Sequence, residues 1–380
     1  MFMYSLKSVT NILMKGKAVG FCAFLFICFF TSSSVKADEK AKLFSKPKFS
    51  GYAIGQYQYS SQHEAESNSF SLRMIRISLD GRILGDFAYK LQGQVNGNTS
   101  TLGDSPRMVD VYVEWQKLPF LKIKAGQFKR PFTFENPMNP IDQGFMGYSQ
   151  NIMKLAGFND RVGEHSSNGR DIGVQIQGDL LKTSSGRPLL HYQVGVFNGQ
   201  GINTKDVDNQ KDVIGGLWVM PVEGLRIGAF GWTGSYARKG DNGVKSLAKR
   251  RYAISGEYVF DDWTFRSEYI HSTGYGFNTV YNQSSDTKKD EVNYDAGDKA
   301  DGFYALAIAP VIKKKLHVKA RYDLYRPRAE WGTSKTFYEV GVDYLFAKNL
   351  QVNLEYAFVN DRSLAKHNYS MIDTQLSFRF

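Results

Sequence analysis

Cysteine is nearly absent from this sequence. The two present, Cys22 and Cys28, lie in an N-terminal stretch that reads as a targeting peptide. The chain expected to remain has none, which excludes disulfide staples and thiolate metal sites. Long apolar runs are missing too. The run Ala18–Phe30 is short for a spanning helix, and a mean hydropathy of −0.37 argues against a bundle of such helices. Proline is scarce at 10 residues, while glycine reaches 36 and aromatics 14%. Many short β segments, each half polar, produce this mixture.

Lys7, Lys15 and Lys17 precede the apolar run, and Val35-Lys36-Ala37 fits a small-x-Ala cleavage site. Residues 1–37 are therefore expected to be a cleaved signal peptide, followed by a short periplasmic segment, 38–47, and one domain, 48–380. Ile27 before Cys28 argues against lipid attachment. Losing Lys7, Lys15, Lys17 and Lys36 lowers the formal charge from +11 by four, to +7. That is mildly basic and no argument for nucleic acid.

What the chain has is a period of two. Phe87, Tyr89, Leu91, Gly93 and Val95 alternate with polar residues, as do Val109, Val111, Val113 and Trp115. Val340, Val342, Tyr344 and Phe346 repeat the pattern, and so do Leu350, Val352, Leu354, Tyr356 and Phe358. About sixteen such segments occur, each roughly 9–13 residues long. The connections between them fall into two alternating classes. Short ones, such as Asp261-Asp262 and Lys313-Lys314-Lys315, follow even-numbered segments. Long polar ones, such as 97–106, 199–211, 235–248 and 272–300, follow odd-numbered segments. Alternating tight turns and long loops predict an all-β fold: a transmembrane antiparallel β-barrel of about 16 strands in the outer membrane of a Gram-negative bacterium. Aromatics near strand ends (Trp115, Tyr258, Phe260, Trp263, Tyr344, Phe346, Phe358) match interfacial girdles. The C-terminal strand ends on Phe380, an outward aromatic of the kind that barrel assembly machinery reads.

The pattern breaks once, after the fifth segment. In AGQFKRPFTFENP (Ala125–Pro137), Pro131 cannot join a ladder, and Pro137 and Pro140 bar a quick return. Alternation resumes at Asp171-Ile172-Gly173. About forty patternless residues are too many for an ordinary connection. A sixteen-strand lumen is wide enough to hold them. The stretch is thus expected to fold inward as a constriction loop hinged at Pro131 and Phe132. The alternative is a lid over the extracellular mouth.

Leu72-Arg73-Met74-Ile75-Arg76-Ile77, Asp110-Val111-Tyr112-Val113-Glu114-Trp115, Gly126-Gln127-Phe128-Lys129-Arg130-Pro131-Phe132, Gly169-Arg170-Asp171-Ile172-Gly173 and Phe197-Asn198-Gly199-Gln200-Gly201 together resemble the phosphate-selective porin O and P family. The resemblance runs in order along most of the chain. It implies a trimeric porin whose inward third loop and basic lumen pass phosphate-like anions, with Lys129 at the family's motif lysine.

The pleat allows a check on charge. Ten cations and eleven acids fall on the polar face of the strands: Arg76, Lys90, Lys122, Lys124, Arg226, Arg251, Arg266, Lys319, Arg321 and Arg379 against Asp86, Asp110, Glu114, Asp171, Glu257, Glu268, Asp323, Glu339, Asp343, Glu355 and Asp373. Net charge alone makes no anion filter, so the position of the cations must decide. Lys122, Lys124, Lys129 and Arg130, beside the loop origin, are the candidates for anion binding, with Arg76 and Lys90 next. The competing arrangement is a transverse field of cations facing acids in a general, weakly selective porin. An outer-membrane enzyme is a distant alternative, since no G-x-S-x-G and no metal-type histidine pair occurs. A structural or adhesion barrel is another. No cofactor or metal is expected. Asp206, Asp208, Asn209 and Asp212, and likewise Asp295, Asp298 and Asp301, read as solvated turn residues rather than a Ca²⁺ loop.

Overall fold

The computed structural model describes residues 44–96, 106–240, 242–278 and 290–380. The expected signal peptide and the start of the 38–47 segment lie outside them. Sixteen strands close into a single antiparallel barrel. They are β1 (Lys48–Ser60), β2 (Ser67–Ile83), β3 (Phe87–Gln94), β4 (Arg107–Leu118), β5 (Leu121–Lys129), β6 (Arg170–Lys182), β7 (Pro188–Phe197), β8 (Asp212–Val219), β9 (Leu225–Gly240), β10 (Gly243–Phe260), β11 (Trp263–Thr273), β14 (Lys299–Ile312), β15 (Leu316–Arg326), β16 (Lys335–Ala347), β17 (Leu350–Asp361) and β18 (Asn368–Arg379). Two short strands, β12 (Gly276–Phe277) and β13 (Val292–Asn293), make a separate ladder in the loop after β11. Closure is direct: β1 pairs with β18 from Tyr52↔Arg379 to Ser60↔Met371.

The two faces of each strand follow the alternation. On β17, Leu354, Tyr356 and Phe358 are exposed while Asn353, Glu355 and Ala357 are buried. This apolar exterior continues around the barrel through Val174, Val194, Leu217, Ile254, Phe265, Val340 and Leu376. Exposed to water it would be unfavourable; against hydrocarbon each side chain of this size gains about 1.5–3 kcal/mol. With the strands hydrogen-bonded to one another around a closed ring, the barrel meets the requirement that lipid imposes.

One expected loop is not a loop. Residues 235–240 and 243–248 continue the β9–β10 ladder as far as Gly240↔Gly243, with Tyr236 opposite Leu247 and Lys239 opposite Val244. Tyr236, Val244 and Leu247 are good strand residues, and the polar residues between them masked the period.

Candidate functional site

Strand β5 delivers the chain to the interior. Beyond it, residues 130–169 form one segment containing a single helical turn and a half, α1 (Gln150–Leu155). This segment reaches side chains of β10, β11, β15 and β17 that point inward, so it runs within the barrel and not over its mouth.

Its base is apolar. Phe132 packs edge-on to Trp232, 5.5 Å between ring centroids, and Phe134 meets Phe230 at 5.4 Å and Trp218 at 5.6 Å. These are the phenylalanines that follow the Lys129-Arg130 pair. Arg130 is fully buried and bridges Glu164 and Asp171, each at 2.9 Å, with its guanidinium over the Trp232 ring. Burial works to lower the Arg130 pKa, but Glu164 and Asp171 more than offset it, and the group stays firmly charged. The turn is tight: Thr133 adopts φ 64°, a left-handed conformation that β-branched residues rarely take. Gly157, at φ +85°, lies against the same guanidinium, and a Cβ there would sit 1.9 Å from Arg130 Nη1.

The tip is held differently. Its main-chain N–H groups donate to carboxylates of the wall, Met146 to Glu355 (2.9 Å) and Gln150 to Asp323 (2.8 Å), a mode that begins at the edge of the base, where the N–H groups of Phe134 and Glu135 donate to Glu268 (2.8 and 2.9 Å). Its carbonyls accept from wall cations: Gln143 from Arg266 (3.2 Å), Gly144 from Lys319 (2.9 Å), Gly147 from Arg321 (2.9 Å) and Met146 from Arg73. Arg251 donates to the Leu155 carbonyl and to both oxygens of Asp160, all at 2.7 Å. That ion pair pulls the Asp160 pKa below its ordinary range although burial alone would raise it.

The six candidate cations do not form one cluster. Lys122 pairs with Asp179 (3.6 Å), Lys124 with Glu114 (3.7 Å) and Lys90 with Asp80 (3.1 Å), all in the half of the wall nearer the tight turns. Arg130 is locked in the base of the segment, and no solvent reaches it. Pro131 and Phe132 are likewise buried there. Lys129 has no carboxylate in reach among the described residues. Its ammonium donates to the carbonyls of Asn136 (2.7 Å) and Met138 (2.6 Å) and to Tyr148 Oη (2.8 Å). Arg76 is fully buried, donates to Gln94 and Tyr52, and leaves Nη2 without a hydrogen-bond partner.

Arg73 is the residue that the alternation misses. It shares parity with Ile75 and Ile77, which face outward, yet its guanidinium reaches the Met146 carbonyl inside. A register shift between Ile54 and Gly55, opposite Leu72 and Met74, turns it inward. The signal was available: two cations three residues apart cannot share a face of a regular strand, and one of them on the lipid side is costly. The acidic turn after β7 is saturated by protein donors. Asp208 accepts from Ser235 and Ser246, and Asp212 from Trp232 Nε1 (2.7 Å) and Lys249 (3.0 Å).

Comparison with known proteins gives a consistent result. The profile of the family phosphate-selective porin O and P matches residues 51–258, more than half of the chain. Searching curated proteins by sequence gives no match. Among solved structures, OmpF of Salmonella typhi, in complex with daunomycin, superposes with a TM-score of 0.61 at 14% identity, covering 88% of this chain and 98% of that one. In-vitro folded OmpT, an outer membrane protein of Vibrio cholerae, gives 0.58 at 12%, covering 90% and 99%. The outer membrane channel DcaP of Acinetobacter baumannii gives 0.55 at 12%, covering 88% and 97%. At these identities the likeness is one of fold.

Proposed function

The chain belongs to the phosphate-selective porin O and P family, and from that premise we propose a passive channel for small hydrophilic solutes with a preference for anions such as phosphate. As an outer-membrane barrel of a Gram-negative bacterium it joins the outside to the periplasm. The 130–169 segment is the constriction in this reading, and solutes cross unmodified, with no catalysis. One observation carries the anion preference. Arg73, Arg76 and Lys129, around the first stretch of the segment, have no carboxylate at ion-pair distance among the described residues, while Lys90, Lys122 and Lys124 each have one. Uncompensated charge at a narrow place sets the barrier for ions, whatever the total charge of the lumen. Assembly as a homotrimer fits the family, and the similar OmpT of Vibrio cholerae has been obtained in a trimer form.

The neutralised wall favours a second reading, a general and weakly selective pore. Reversal potential in a planar bilayer across a KCl gradient separates the two. The first reading expects an anion-selective sign, chloride current blocked by added phosphate, and a shift toward cations in Lys129→Glu. A near-zero potential without phosphate block establishes the general pore instead.

A further inference from the structure

The outer surface carries a charged sector on β10, β14 and β15. On β10 the residues flanking Arg250, namely Lys249 and Arg251, are buried inside, so Arg250 points out, exposed, as does Tyr252 two positions on. The register extends this row sideways: Arg250 opposes Thr273 of β11, and Thr273 opposes Lys299 of β14. With neighbouring strands about 4.8 Å apart, the two cations stand about 10 Å from each other on one face. Neither has an ion-pair partner among the described residues. One step toward the membrane, Tyr252, His271, Asp301 and Arg326 form the next row. There Arg326 binds Asp301 at 2.7 Å and packs over the exposed Trp331 ring, and Tyr269 donates to the same carboxylate at 3.2 Å. These cations lie at the loop end of the strands, the extracellular side of a porin.

Below this charged edge the wall is hollowed. A groove of about 630 Å³ runs over β14–β17, floored by Ala305, Ala307 and Ala320 and walled by Tyr322, Tyr338 and Phe358. Ala305 lies four residues below Asp301 on β14, about 13 Å along the strand. The groove exists because three alanines adjoin one another across β14 and β15 where the surrounding positions carry rings. Within the lipid belt such a groove has a hydrocarbon occupant.

We propose that this sector is a built site for one lipid of the outer leaflet, a phosphorylated, acylated glycolipid. Its phosphates sit on Arg250 and Lys299, and one acyl chain lies in the alanine groove. Charge complementarity selects the head, since basic clusters just outside the apolar belt bind anionic head groups. The groove begins on β14, the strand that carries Lys299, about 20 Å along it, and extends across β15–β17; that shared strand selects a chain attached to the head.

The test uses the full-length barrel in detergent, titrated with bisphosphoryl lipid A, with its dephosphorylated form and with phosphatidylglycerol, binding being read by native mass spectrometry. The bisphosphoryl form is expected to bind about tenfold more tightly than the dephosphorylated one, a difference of about 1.4 kcal/mol. Arg250→Ser/Lys299→Ser removes that difference and leaves single-channel conductance unchanged, which also reports a folded barrel. Ala307→Trp, which fills the groove, weakens both lipid A forms alike. A phosphate preference that survives the double variant overturns the head-group assignment. Unaltered binding in Ala307→Trp overturns the groove. Phosphatidylglycerol binding as tightly as bisphosphoryl lipid A overturns the choice of a glycolipid over any anionic lipid.

Discussion

The base and the tip of the internal segment are both immobilised, yet by opposite means. The base is fixed by what its side chains are: Phe132 and Phe134 among the rings of β8 and β9, and Arg130 between Glu164 and Asp171. The tip is fixed chiefly by what every residue has, its peptide groups, which meet Asp323 and Glu355 on one hand and Arg266, Lys319 and Arg321 on the other. The contrast teaches that a long insertion can be located in two separate ways. One depends on its own sequence and is dry. The other depends on the wall and is electrostatic.

Breaking the base is expected to have the largest effect. Arg130→Ala strands Glu164 and Asp171 in a buried site, and removing one partner of such a pair costs about 3–5 kcal/mol. Thermal unfolding of the purified barrel checks this, together with proteolysis within 130–169. Glu355→Ala, at the tip, removes one charge-assisted bond to Met146, of about 1.5–3 kcal/mol, and takes from Lys319 its 2.5 Å carboxylate partner. Lys319 keeps the Gly144 carbonyl and Asn353 Oδ1 as acceptors, whereas Arg130→Ala strands two carboxylates. Glu355→Ala is expected to raise conductance and noise with a smaller loss of thermal stability. Equal unfolding shifts for the two variants would erase the distinction.

Acid sharpens the same comparison. Arg251 holds the Asp160 pKa below the ordinary carboxylate value, so this pair contributes stability above about pH 4, the unfolded value. The contribution is lost as pH falls through the lowered folded value. Protease protection of the segment is thus expected to persist at pH 5 and to fail in strong acid. Asp160→Asn should abolish that pH dependence while leaving protection weaker throughout. The smallest effect is predicted for Lys122→Ser. Its partner Asp179 is partly exposed at 3.6 Å, and pairs of this kind contribute about 0–1 kcal/mol. A large drop in melting temperature would show that the wall pairs carry the barrel as heavily as the base does.

Much of this fold was legible because the period of two survives in most of the barrel strands, and because Pro131, Pro137 and Pro140 mark its one long interruption. Lipid enforces that period, since a wrong parity places a charge in hydrocarbon. The ion pairs were not legible. Glu114 meets Lys124 because register sets them opposite, and that register follows from an irregularity between Trp115 and Leu118 that no side chain announces. Arg130 looked like a solute contact because two adjacent cations precede an interior loop. Its partner Glu164 lies far along that loop, and nothing local connects them. Arg73 was hidden by a bulge in its own strand, where it is the residue skipped between Leu72 and Met74; the odd spacing to Arg76 was its one mark in the sequence.

The main-chain fastening of the tip also bears on how such a channel diversifies. At position 146 the wall's hydrogen bonds address the main chain, the N–H through Glu355 and the carbonyl through Arg73, and nineteen of the twenty amino acids present both alike; at 150 the side-chain amide also donates, to the Asp323 and Lys335 carbonyls. At 146 the side chain can be exchanged, by mutation or by an engineer seeking another permeability, without losing those bonds. Proline alone is refused, because it has no N–H to offer Glu355 or Asp323.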